Sequence, residues 1–299
     1  MIVIKTVDLF CGCGGMSLGF QNAGFEIIAA YDNWQGAINI YRKNFQHPVY
    51  NTDLNTDEAI RKIADLKPDI IIGGPPCQDF SIAGQRNMGE RANLTIRYAQ
   101  IVAKIKPEWF VMENVYNIER MPVLPKMREI VKNVGYGLTT KILDASRCGV
   151  PQKRNRFFMI GHLGDCDNFL DAILNENLSK TQMTVYDYLG DSLKTEFYYM
   201  HPRSYNRRAV FSIHEPSSTI RGVNRPIPAN YQRHSADKAA ISDGVRSLTT
   251  KERSYIQTFP ENFKLIGSKT EMEQAIGNAV PVKLAEYVAN CIKQYISEA

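Results

Sequence analysis

The chain of 299 residues has no apolar run long enough to cross a bilayer, which excludes a helical membrane protein. It also lacks internal repeats and low-complexity tracts, so repeat arrays and disordered tails drop out. No signal peptide is expected. Cysteine is sparse: the six stand at 11, 13, 77, 148, 166 and 291, with no Cys-x-x-Cys pair. Cys11 and Cys13 are separated only by a glycine, so a zinc site has little to support it and no metal is expected. These absences point to a reduced, cytoplasmic enzyme. The length allows one large domain or two unequal ones, and 44% hydrophobic residues are ample for a core.

What is present gathers at the ends of apolar runs. Asp69-Ile70-Ile71-Ile72 has the character of a strand buried in a parallel sheet. It leads into Gly73-Gly74-Pro75-Pro76-Cys77-Gln78, where glycines permit a sharp turn and prolines restrict φ. Such a mount suits a nucleophile, whose sulfur must be held at attack distance from a carbon. A free cysteine is more often a small buried hydrophobe, and this stretch alone leaves the two readings level.

Residues 2–10 read as a strand, Cys11-Gly12-Cys13-Gly14-Gly15 as a turn and residues 16–23 as a helix. Strand, glycine turn and helix open a nucleotide- or nucleoside-binding unit, although the strict G-x-G-x-x-G pattern is missing. A second strand over 26–31 ends in Asp32, 20 residues after Gly12, from where an acid meets ribose hydroxyls. Asp53, after a third strand near 49–52, could accept from an adenine amino group. Residues 109–112 form a further strand, followed by Glu113-Asn114-Val115. Another, over 157–160, is preceded by Gln152-Lys153-Arg154-Asn155-Arg156. Period-two alternation sends Arg154 and Arg156 to one side. Ligands of open α/β sheets bind beyond the carboxyl ends of strands, where Cys77 and Glu113 both fall. A glutamate there, beside a mounted cysteine, reads as an active-site acid.

The formal net charge is +5. Between residues 194 and 238 eight Lys or Arg face three acids, an excess equal to that of the whole chain. Phe197, Tyr198, Tyr199, Tyr205, Phe211 and Tyr231 are interleaved with them. Basic residues set among aromatics suit a nucleic-acid surface; a solvated basic face is the plainer alternative.

Taken in order, these segments resemble the DNA cytosine-5 methyltransferases. Asp8-Leu9-Phe10-Cys11-Gly12-Cys13-Gly14-Gly15 resembles that family's S-adenosylmethionine loop, and Gly74-Pro75-Pro76-Cys77-Gln78-Asp79-Phe80-Ser81 its nucleophile motif. Glu113-Asn114-Val115 is similar to its glutamate motif, and Gln152 to Arg156 to its paired-arginine motif. Residues 246–253, followed by Gln257-Thr258-Phe259-Pro260, resemble the segment closing the recognition region, and residues 274–281 the last motif. The resemblance thins between about residues 164 and 240. Cys11 replaces a usual alanine or serine, and Asn33 stands where some relatives carry an aromatic that stacks on adenine.

The resemblance implies catalysis by Cys77, Glu113, Arg154 and Arg156. It implies S-adenosyl-L-methionine as cofactor, held by Phe10, Gly12, Gly14, Gly15, Asp32, Asn33, Asp53, Leu54, Pro75, Leu94, Asn278 and Val280. The implied partner is double-stranded DNA, from which the target cytosine is flipped. Ser81, Gln85, Arg86, Arg207, Arg208, Thr219, Arg221 and Arg225 are the expected DNA contacts, with Arg221 and Arg225 reading guanine. A separately encoded restriction endonuclease and a monomeric state are further expectations.

The fold expected is α/β, a Rossmann-like S-adenosylmethionine-dependent methyltransferase sheet with a smaller target-recognition domain. Residues 1–185 and 266–299 would form the catalytic and cofactor-binding domain, and 186–265 the recognition domain. Residues 78–93 would form a mobile loop closing over the base. A tRNA methyltransferase of the same fold is the nearest rival, disfavoured by the size of the basic segment and by the lack of a Cys-Phe-Thr signature. A regulator without catalysis would need a lesion in the catalytic set, and a small-molecule methyltransferase would leave the prolyl mount unexplained.

Overall fold

The computed structural model describes residues 3–76, 88–204, 206–241 and 244–298, with side chains throughout except at 88–93. The chain opens with β1 (Lys5–Leu9), α1 (Gly15–Asn22), β2 (Glu26–Asp32), α2 (Gln35–Asn44), β3 (Val49–Asn51) and α3 (Asp57–Asp65). It continues through β4 (Ile70–Gly73), α4 (Met88–Ile105), β5 (Trp109–Val115), α5 (Val123–Lys132), β6 (Tyr136–Asp144) and β7 (Asn155–Leu163). These strands form one sheet, ordered β3-β2-β1-β4-β5-β7-β6. Neighbours are parallel except at β7, which runs antiparallel to β5 and β6.

Next, α6 (Asp171–Glu176) and α7 (Val185–Leu189) lead to a three-stranded sheet ordered β10-β8-β9. Its strands are β8 (Phe197–Tyr199), β9 (Val210–Ser212) and β10 (Arg246–Ser247). Finally α8 (Thr250–Ile256), α9 (Lys269–Asn278) and α10 (Val282–Glu298) return the chain to the large sheet. Thr249 and Ser268 start α8 and α9 with capping boxes closed by Glu252 and Glu271, which satisfy backbone N–H groups the helices leave free.

The isoleucines of β4 explain its unbroken apolar run. Ile70 and Ile72 join the cluster of Phe20, Val288 and Ile292 under α1 and α10. Ile71 joins that of Ile63, Tyr98 and Val102 under α3 and α4. Both faces are covered, so alternation is lost. The small sheet has its own core of Tyr198, Phe211, Ile213, Ile220 and Leu248, which also takes in Ile256 and Ile276. Phe259 and Phe263 pack elsewhere, with Tyr41 and Phe45. Among the described residues no helix is long and apolar enough to cross a membrane.

Two boundaries differ from the sequence reading. Glu113, Asn114 and Val115 are not beyond a strand but within it, because β7 supplies them with an antiparallel partner. The segment expected as a closing loop is helical from Met88, so its last six positions belong to α4. Glu90, Arg91, Ala92 and Leu94 are good helix formers, which accounts for the early start.

Candidate active site

Strand order reverses between β1 and β4, and side chains at their carboxyl ends line a cleft of about 720 Å3. A switch point of this kind is where doubly wound sheets bind ligands, and the volume suits a small molecule.

Across the β5–β7 pair, Glu113 lies opposite Phe158 and Val115 opposite Arg156. Glu113 and Arg156 are therefore diagonal neighbours on one face. Arg156 Nε stands 2.9 Å from Glu113 Oε1. The other oxygen, Oε2, lies toward the turn after β4, since a Cβ added at Gly74 would sit 3.2 Å from it. Burial pushes the Glu113 pKa up, against the pull of Arg156 and Arg154. The carboxyl therefore keeps its proton to higher pH than an exposed glutamate.

Arg154 projects to the same side as Arg156 but is committed to the main chain. Its Nη1 donates to the Ile220 carbonyl at 2.9 Å, and Nη2 to those of Gly277 and Ala279 at 3.0 and 3.1 Å. Gln152 extends this junction: its side-chain Nε2 donates to Gln257 Oε1 at 2.7 Å, and its side-chain Oε1 accepts from Ile220 N at 2.9 Å. One knot thus joins the segment leading into β7, the core of the small sheet and the loop after α9.

Cys77 lies outside the described residues, as do Ser81, Gln85 and Arg86. The turn leading to Cys77 is described. Asn114 Nδ2 donates to the Pro75 carbonyl at 3.0 Å, and Asn114 Oδ1 accepts from Val115 N at 2.8 Å. Asn114 thereby ties the prolyl mount to the strand that carries Glu113.

In the cofactor half, Phe10, Gly12, Asp32, Asn33, Pro75 and Leu94 line the cleft, and Asn278 and Val280 close it. Asp32 accepts from Gly12 N and from Trp34 N, one bond of 2.8 Å to each oxygen. Each oxygen keeps a lone pair for a ligand hydroxyl. Burial raises the Asp32 pKa, with the backbone bonds opposing. Phe10 holds a left-handed φ of 59°, uncommon for a residue with a side chain.

Gly14 and Gly15 do not line the cleft. A Cβ at Gly15 would meet the Val280 carbonyl oxygen at 2.1 Å, so bare backbone lets the glycine loop touch the last motif. Gly15→Ala is expected to cost about 1–3 kcal/mol of stability, read as a lowered melting temperature, because the carbonyl must move. Asp53 is exposed and accepts from Asn55 N, while Leu54 is buried in the core; neither lines the cleft.

Of the expected DNA contacts, Arg207 and Arg225 are exposed. Arg208 makes a two-pronged pair with Glu215, at 3.0 and 2.7 Å, and lies over the Phe211 ring. It is committed inside the small layer. Thr219 Oγ1 donates to the Lys153 carbonyl at 2.8 Å. Arg221 Nη2 donates to the His201 carbonyl at 2.5 Å. Burial lowers the His201 pKa, and the charges of Arg225 and Arg221 lower it further.

Sequence reading gave no role to Asp8, Trp34 or Asn114, although all three line the cleft. Trp34 follows Asn33, the position at which an aromatic was sought, and its place beside Asp32 was the available signal.

A glycine loop and a carboxyl–arginine pair meeting at the switch point of such a sheet define a transferase of the Rossmann-like methyltransferase class. A family model for the C-5 cytosine-specific DNA methylases matches residues 4–294, and the chain belongs to that family. It is 57% identical to Type II methyltransferase M.HindV of Haemophilus influenzae, over 99% of this chain and 98% of the relative. It is 53% identical to Type II methyltransferase M.HgiDI of Herpetosiphon aurantiacus, over 99% and 96%. The S. pombe Dnmt2 methyltransferase structure has the same fold, with a TM-score of 0.73 over 99% of each chain at 17% identity.

Proposed function

We propose that this chain is a sequence-specific modification methylase acting on duplex DNA through a covalent Cys77 adduct on a flipped-out cytosine. The observation that carries the reading is the Glu113–Arg156 pair, fixed beside the prolyl mount of Cys77 by Asn114. The Type II relatives, which match over nearly their full length, support a modification enzyme partnered by a separately encoded restriction nuclease.

Carbon 5 of cytosine is a poor nucleophile. Addition of the Cys77 thiolate to carbon 6 moves electron density to carbon 5. Glu113 donates a proton to ring nitrogen 3 as that density develops, and its raised pKa keeps the proton available. Arg156 holds the cytosine carbonyl oxygen while steadying Glu113. Arg154 sets the distance between the catalytic strand and the recognition layer. Carbon 5 then takes the methyl group. Loss of its proton to a base breaks the carbon 6–sulfur bond and expels the Cys77 thiolate, and ring nitrogen 3 returns its proton to Glu113.

The cleft fits S-adenosylmethionine. A Cβ at Gly12 would meet nothing within 4 Å, so the loop backbone is open to a ligand. Asp32 offers an acceptor for ribose hydroxyls, Phe10 and Leu94 offer apolar contact, and Asn278 closes the far end. When bound, the cofactor supplies an electrophilic methyl group on sulfonium. Residues 186–265 form the recognition domain in this reading, with Arg221 and Arg225 at base edges; its contacts offset the few kcal/mol, roughly, that flipping costs. The enzyme acts as a monomer, since one flipped base needs one cleft.

The test is transfer of labelled methyl from S-adenosylmethionine to duplex DNA, with tRNA in parallel and base-resolved mapping of 5-methylcytosine. Methylation confined to one short duplex motif is expected; label on tRNA alone would overturn the reading. A duplex bearing fluorine on carbon 5 of that cytosine should trap the enzyme, with the adduct mapping to Cys77.

A further inference from the structure

Residues 220–225 are held along their backbone while two of their side chains stand in solvent. Arg154 bonds the Ile220 carbonyl, and Arg253 Nη2 bonds those of Arg221 and Val223. Ser247 Oγ donates to the Arg225 carbonyl at 3.3 Å. Burial alternates along the segment. Ile220 sits in the core of the small sheet, and Asn224 Nδ2 bonds the Leu248 carbonyl and Glu273. Gly222 lies against α9, where an added Cβ would stand 3.2 Å from Gln274 Cα. Positions 220, 222 and 224 thus face the protein, whereas Val223 and Arg225 are exposed.

Val223 is 44% exposed, with an arginine two residues to either side. Single apolar side chains are common on any surface. This one differs in having its main chain fixed before and after it, so seating it on a ligand orders little that is not already ordered. Valine has no hydrogen-bonding group, so it cannot read the donors and acceptors of a base edge. Its branched side chain is stiff, and shorter than the leucine, isoleucine, methionine or phenylalanine wedges that part base steps. The apolar group that a duplex presents in its major groove is the carbon 5 methyl of thymine.

We propose that Val223 reads the carbon 5 methyl of one thymine in the recognition sequence, beside the guanine contacts of Arg221 and Arg225. The inference rests on the duplex reading above and adds a base-selecting residue to it.

The test replaces each thymine of the mapped duplex motif in turn by uracil, which removes the methyl and keeps every hydrogen-bonding group of the base. Wild-type kcat/KM should fall about 3- to 6-fold at one position, the size expected for uncovering one methyl. Val223→Ala should be slower on the thymine duplex and indifferent to uracil at that position, while Val223→Ile should keep the preference. A motif of G·C pairs alone, or wild-type rates unchanged by every uracil, would overturn the assignment with no variant needed. So would a Val223→Ala enzyme that still prefers thymine at that position. Label on tRNA alone would overturn the duplex reading itself, a different result from duplex methylation that ignores the methyl.

Discussion

Glu113→Gln is expected to lower the rate of methyl transfer by a factor of about 100 to 10,000, the range for loss of a positioned general acid. The amide fills the same space and keeps an acceptor for Arg156 Nε, so the fold and the cleft should survive. What is lost is an acidic proton close to Gly74 and the prolyl turn. The pH profile separates this from a packing defect. Because burial raises the Glu113 pKa, the single-turnover rate should be full below that value and fall as pH rises through it. The glutamine variant should lack that descending limb. A variant that retains both the rate and the limb would remove Glu113 from the chemistry.

Arg253→Met carries the largest expected loss of stability. Arg253 and Glu273 form an ion pair of 2.7 Å with side chains only 1% and 3% exposed. Glu273 also accepts from Asn224 and Thr250, and Arg253 Nη2 donates to the Arg221 carbonyl at 2.5 Å. Removing the arginine alone strands a buried carboxylate, which typically costs about 3–5 kcal/mol. Urea unfolding should register this, and pairing the change with Glu273→Met should recover part of it. A double variant no more stable than Arg253→Met would show that the stranded charge is not the cause. DNA affinity should fall in the single variant beyond what lost folded protein explains, since residues 221–224 lose their hold.

Much of this was legible beforehand because local rules agreed. The apolar run of β4, the glycine turn and the spacing to Asp32 each follow from backbone conformation within a few residues. Glu113 and Arg156 could be named, but their pairing depends on the antiparallel β5–β7 register, which brings together residues 43 positions apart. Asp8 stands in the glycine-loop segment, but its bonding was not legible for a related reason. An aspartate in a strand says nothing of which oxygen is bonded, and Ser17, Tyr41 and His47 approach it from other elements. Asn114 stood in a quoted motif, yet its bond to Pro75 spans two strands. Arg208 illustrates the converse: it was chosen by charge, and a glutamate seven residues on takes its guanidinium.

The attachment of residues 220–223 has a consequence for how such enzymes diversify. Arg154 and Arg253 grip the carbonyl oxygens of Ile220, Arg221 and Val223, groups that every amino acid carries. The side chains of Arg221 and Val223 can change without loosening these carbonyl bonds, so on the proposed reading new sequence preferences can arise by substitution while the scaffold stays in register. The exceptions are Ile220, buried in the core of the small sheet, and Asn224, whose amide bonds Leu248 and Glu273. Grafts that preserve Asn224 and the two arginines should seat foreign reading segments on this catalytic body.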